Sequence, residues 1–166
     1  MVLTKASKKA GKFVNSKHVD SLLSNYKKER WVQNSRHIGK EDSLSVWYSV
    51  EELQEFLETA KRNGADGIKM YFGVYKADTA KDQGYEDRQT IVMVASKNKI
   101  NAEGRGVDKS IYITTGNDTQ ILAYNAGRIC PPYCGTGGTG SDTESPDWDN
   151  LGIVLIDRKD EGMIIV

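Results

Sequence analysis

Cysteine, histidine and proline are scarce: two, two and three residues in a chain of 166. Two cysteines, Cys130 and Cys134, make no disulfide framework of the kind that holds small secreted domains together. Two histidines, His18 and His37, leave few imidazoles for metal or acid–base chemistry. No stretch approaches the ~18 apolar residues of a membrane span. The opening residues Met1–Lys12 lack the apolar run of a secretory signal. A cytoplasmic location and no membrane partner are therefore expected. Hydrophobic residues make up 38% and charged residues 28% of the chain, a globular composition that excludes fibrous and wholly disordered classes.

There is also no net charge, but the charges are segregated. Residues 1–40 carry ten Lys/Arg against Asp20 and Glu29, a local +8, and residues 41–166 carry thirteen against twenty-one acids, a local −8. A basic arm of this kind suits nucleic acid or anionic lipid, or it folds onto its own acidic body or a neighbour's. Nucleic acid is the weaker reading. The body would repel phosphates, and the arm lacks the interleaved aromatics of single-strand binders.

Residues 1–14 show no periodicity and read as a mobile tail, ahead of one α+β domain over 15–166. Asn15 or Ser16 is a plausible N-cap. Val19, Leu22, Leu23 and Tyr26 share one helical face, and the helix can continue through Trp31 to an end at Gly39. Leu44–Tyr48 reads as a short strand. Ser49 and Glu52 form a capping box for a helix over 50–63, with Gly64 at its left-handed end. Gly67–Tyr75 alternates as a strand, with Ile68, Met70, Phe72 and Val74 on one face and Lys69, Tyr71 and Tyr75 on the other. If the strands at 44–48 and 67–75 share a sheet, they are parallel, with a right-handed crossover. Thr90–Ser96 reads as a central strand, 97–109 as a loop and 110–114 as a strand. The element at 120–124 has no assigned type. Residues 127–150 form a long Gly/Pro/Ser/Asp-rich loop, followed by a terminal hairpin of strands at 151–156 and 163–166.

Three pieces of sequence resemble a family of small uncharacterised bacterial proteins. They are Val46-Trp-Tyr-Ser-Val-Glu-Glu-Leu53, Gly64-Ala-Asp-Gly-Ile-Lys-Met-Tyr-Phe-Gly-Val-Tyr75 and Cys130-Pro-Pro-Tyr-Cys134. The resemblance spans residues 44–134. It implies the same order of elements, but no activity and no catalytic residues.

Several motifs fail on their context. Gly135-Thr-Gly-Gly-Thr-Gly140 matches G-x-G-x-x-G by letter, but an acidic, non-helical stretch follows where a dinucleotide site needs a helix N-terminus. Asp142, Glu144, Asp147 and Asp149 supply oxygen ligands, yet position 12 counted from Asp147 is Arg158 rather than an EF-hand glutamate. His18 and His37 lack metal-type spacing to each other. Cys130 and Cys134 are one residue further apart than a Cys-x-x-Cys redox pair, with no helix signal after them. No G-x-S-x-G is present for a serine nucleophile. A disulfide at the Cys130/Cys134 spacing is geometrically allowed, but a reducing cytosol disfavours it. The turn is read instead as proline-locked with buried thiols.

The sequence thus predicts an α+β fold: two main helices packed with a mixed, mostly antiparallel sheet of about five or six strands. The expected core is Leu22, Leu23, Trp47, Leu53, Phe56, Leu57, Ile68, Met70, Phe72, Ile91, Met93, Ile153 and Leu155. The expected function is non-enzymatic binding through loop 127–150, without a cofactor, with Tyr71, Tyr75, Arg128, Tyr133 and Trp148 as the candidate surface. The alternative is a metal- or small-ligand-dependent enzyme centred on Cys130, Tyr133 and Cys134. The partner is an unspecified protein or small ligand, and a homo-oligomer stays open.

Overall fold

The computed structural model describes residues 9–134 and, as backbone alone, strands at 155–158 and 162–165. Residues 1–8 of the expected tail and 135–150 of the expected loop lie outside the described residues, as do Trp148 and the side chains of Ile153 and Leu155. Residues 9–14 are exposed and take no regular secondary structure.

Helix α1 (Ser16–Tyr26) starts as the sequence predicts, with the Asn15 side chain accepting the His18 amide at 3.0 Å. A π turn, Lys27–Trp31, joins it to α2 (Val32–Ile38), and Gly39 ends the helix at φ +69°. The π turn has a tertiary cause. Tyr26 and Trp31 are five residues apart, which an α-helix turns away from each other but a wider i→i+5 turn brings onto one side. There the Tyr26 hydroxyl donates to Gln89 Oε1 at 3.0 Å and the Trp31 indole N–H to the Asp42 carbonyl at 2.7 Å.

Strand β1 (Ser45–Trp47) leads to α3 (Val50–Arg62), whose capping box is complete: Ser49 Oγ accepts the Glu52 amide and Glu52 Oε2 accepts the Ser49 amide. Gly64 follows at φ +83°. Next come β2 (Gly67–Val74), β3 (Gln89–Ile100), β4 (Gly106–Ser110), β5 (Tyr112–Thr115), β6 (Asp118–Ile121), β7 (Ala123–Tyr124) and β8 (Arg128–Cys130), then β9 (Leu155–Arg158) and β10 (Gly162–Ile165). The class is α+β, and the helices are the two predicted.

The strands form several small sheets rather than one. A four-stranded sheet runs β2-β3-β4 with β7 on β3, and three two-stranded ladders pair β1 with β8, β5 with β6 and β9 with β10. The last is the expected terminal hairpin. Because β1 and β2 belong to different sheets, no parallel crossover forms between them. The expected loop at 97–109 is a hairpin: β3 continues to Ile100, and its residues 96–100 pair with β4 from Ser96↔Ser110 to Ile100↔Gly106. Asn101 holds the turn by accepting the Glu103 and Arg105 amides. This arm carries polar side chains on both faces, so it gives no apolar alternation to read.

The chain divides into two units of interleaved segments, one built mainly from residues 48–73 and 91–127 and the other mainly from 12–47, 74–90 and 128–134. The core of the first is Phe56 and Ala60 from α3, Met93 and Ala95 from β3, and Leu122. Leu53, Ile68 and Ile91 pack against it, and Phe56 stacks on Tyr124 with ring centroids 5.5 Å apart. The core of the second is small: Tyr75, Tyr85 and a fully buried Ile129, flanked by Val46 and Ala80. Six residues expected in the core, Leu22, Leu23, Trp47, Leu57, Met70 and Phe72, are instead exposed, Phe72 by 80%. Periodicity reports which side chains share a face, and these faces exist, but it does not report whether another element covers them.

Candidate binding face at the Cys130–Cys134 turn

The second unit holds most of the residues that carry chemistry. Strand β8 pairs antiparallel with β1, setting Ser45 opposite Cys130, Val46 opposite Ile129 and Trp47 opposite Arg128. The alternation sends Val46 and Ile129 inward to Tyr75 and Tyr85. It sends Trp47 and Arg128 out, where the guanidinium lies over the indole at 4.4 Å from the ring centroid. The indole remains more than half exposed.

Beyond β8 the chain turns sharply. The Tyr133 amide donates back to the Ile129 carbonyl at 3.1 Å, and both the Cys130–Pro131 and Pro131–Pro132 bonds are cis. Cys130 and Cys134 form a disulfide with Cα atoms 4.8 Å apart. This corrects the expectation of buried, protonated thiols. That expectation argued from the redox compartment, whereas the turn brings the two Cα atoms within the 4.4–6.8 Å range a disulfide spans. With both sulfurs bonded to each other, Cys130 and Cys134 offer no thiolate to a metal, and among the described residues no group of three metal-type side chains assembles. His18 and His37 are both exposed.

The turn aims Tyr133 back at the 82–88 segment. Its hydroxyl donates to Asp82 Oδ1 at 3.2 Å and its ring meets Tyr85 at 5.6 Å, while Tyr85 in turn meets Tyr75 at 5.5 Å. The three phenols form a ladder from half-exposed to buried. Gly84 lies close under this contact: a Cβ there would fall 2.9 Å from Asp82 Oδ1 and 3.0 Å from the Tyr133 hydroxyl, so a larger residue would push those two side-chain ends aside. Burial holds the Tyr85 phenol above its ordinary range, and burial together with the Asp82 charge does the same for Tyr133.

Beside the ladder lies a buried polar latch that no sequence motif announces. Asp42 is 3% exposed; its Oδ1 accepts the Ser43 and Gln89 amides and its Oδ2 accepts from Asn34. Arg88 is also buried and donates to the carbonyls of Glu41 and Gly84. Burial pulls its pKa down, opposed by the charges of Asp42 and Glu41. The guanidinium is engaged in holding backbone rather than waiting for a ligand.

Of the candidate surface, the structure groups Arg128 and Tyr133 on the 128–134 segment. Tyr75 is corrected: it leaves the end of β2 for the core, 4% exposed, and its hydroxyl accepts from Thr90 Oγ1 at 3.1 Å. Tyr71 stands half-exposed on β2 in the first unit, where Lys69 donates to the Asp108 carbonyl. Trp148 lies outside the described residues. Sequence reasoning missed Trp47, Asp82 and Tyr85 as members of this face. Only Trp47 had a usable signal, an aromatic at a strand end. Asp82 and Tyr85 sit in a polar run without periodicity.

No family model matches this chain, nor does any curated protein or any solved structure.

Proposed function

We propose that the protein is a non-catalytic binding module whose contact face centres on Trp47, Arg128 and Tyr133, at the root of the 135–150 segment. The observation that carries this reading is the cross-strand Trp47–Arg128 pair, which leaves an indole more than half exposed on a rigid ladder. Trp, Tyr and Arg are the side chains that dominate binding energy at protein interfaces, because each brings a large area at small entropic cost. The disulfide and the Tyr133–Asp82 contact support the reading by holding the segment's root in one geometry, so that less ordering is needed on binding. The resemblance to small uncharacterised bacterial proteins adds no activity to it.

The test is affinity capture from the native organism with the wild-type chain and with a Trp47→Ala, Arg128→Ala double variant. A partner held by the wild type and lost by a variant of unchanged melting temperature supports the reading. A partner held equally by both moves the face elsewhere. A reducing cytoplasmic setting would disfavour the Cys130–Cys134 bond, and an oxidising compartment would keep it. Alkylation of rapidly quenched cells, read by mass, tells the two settings apart separately from the binding.

A further inference from the structure

We infer that the amino-terminal arm, residues 9–23, is an anionic-membrane anchor that lies in the lipid interface without spanning it. Three observations carry this. First, α1 buries none of its residues: Leu22 is 56% exposed, Val19 and Leu23 about 40%, all on one helical face. Its C-terminal end is fastened through Tyr26, but the face running back from there has no cover among the described residues. Second, the chain leading into it exposes Phe13 completely and Val14 by nearly half. Leaving five apolar side chains in water along one short stretch is costly unless something takes them up. Third, from residue 9 to residue 23 three lysines, Lys9, Lys12 and Lys17, stand against one acid, Asp20, and Lys5 and Lys8 precede them in the sequence.

These features together select the occupant. An amphipathic helix with low overall hydropathy, a basic flank and an aromatic residue at its mouth is suited to the headgroup–acyl boundary. Five lysines fall in the range of clusters that recognise anionic lipid. Duplex nucleic acid would use the lysines but leave the apolar face unused. The expectation of no membrane partner rested on the lack of a spanning segment, and interfacial binding needs none.

The test is co-sedimentation of the full chain with vesicles of phosphatidylcholine alone and of phosphatidylcholine mixed with phosphatidylserine. Binding is expected to the mixed vesicles only, and to weaken with added salt. About 1 kcal/mol per basic residue near an anionic surface is roughly fivefold in partitioning, so Lys9→Glu, Lys12→Glu and Lys17→Glu combined should weaken it by about two orders of magnitude or more. Phe13→Ser should weaken it without moving the melting temperature, since Phe13 touches nothing that the fold depends on. No sedimentation with the mixed vesicles would overturn the inference. So would binding that both variants leave intact, or tighter binding to duplex DNA than to the vesicles at the same salt.

Discussion

Opening the Cys130–Cys134 bond should cost about 2 kcal/mol and leave the fold intact. The loop it closes is among the shortest possible, with a sequence separation of four. In the chain-entropy account, closing five residues removes about 7 cal/mol/K from the unfolded ensemble, or roughly 2 kcal/mol at 25 °C. The two prolines already restrict that ensemble by fixing φ, so 2 is an upper figure. Against it stand contacts the bond does not make. Ile129 stays buried among Tyr75, Tyr85 and Val46, the β1–β8 ladder continues to Cys130, and the Tyr133 amide keeps its bond to the Ile129 carbonyl. The assay is urea denaturation of the wild type with and without a phosphine reductant, alongside Cys130→Ser combined with Cys134→Ser. The midpoint should fall by the same modest amount in both, with the slope unchanged. Two thiols titrating in the untreated native protein would refute the bond itself. A loss above about 4 kcal/mol, or a changed slope, would show that the turn organises far more of the second unit than these contacts imply.

Ser49→Ala should cost about 1 kcal/mol, because it strips the acceptor of the Glu52 amide from the capping box; a denaturation midpoint identical to wild type would contradict that. Asp42→Ala should cost more, about 2–5 kcal/mol, since it strands the Ser43 and Gln89 amides that the buried carboxylate accepts, and thermal melting would show it. Alkali should destabilise the protein from about pH 10 upward. The folded Tyr85 phenol is raised by burial, so its contribution is fully present below the unfolded phenol's value and is lost as pH rises through the folded one. Tyr85→Phe should flatten that part of the stability–pH curve, and an unchanged curve would assign the effect to the other raised phenols, Tyr26, Tyr124 and Tyr133.

Local chemistry was legible in the sequence, and coverage was not. Asn15, Ser49 with Glu52, Gly39 and Gly64 each mark a helix end because a cap needs a particular side chain or a left-handed residue at one position, whatever the rest of the chain does. The strands expected at 67–75 and 90–96 followed from alternation and from an apolar run, and they appear as β2 and the first part of β3. What could not be read was which element meets which. Met70 and Phe72 have the right spacing for a core face and stay in solvent, while Tyr75, one step beyond β2, is buried. Asp42 accepts the Gln89 amide and Arg88 donates to the Glu41 carbonyl, each across 47 positions of sequence, a relation with no spacing rule to reveal it. At the candidate face, the Cys-Pro-Pro-Tyr-Cys turn was recognisable as a rigid local device, but its oxidation state was misread, because compartment was weighed above geometry.

The π turn makes the first helix one residue overfull. The Val32 amide reaches back five residues to the Lys27 carbonyl, so the turn holds one residue more than an α-helix would need. Such a turn is a length polymorphism frozen into the backbone. Removing one residue from Lys27–Arg30 would restore an ordinary helix and leave Tyr26 and Trp31 at i and i+4, which an α-helix already sets on one face. Both could then still reach Gln89 and Asp42, and the arm carrying Phe13, Val19 and Leu22 would keep its bearing. The wide turn therefore absorbs its extra residue locally, and what the stretch must preserve is the shared side of Tyr26 and Trp31, which five residues meet through a π turn and four would meet through an α turn.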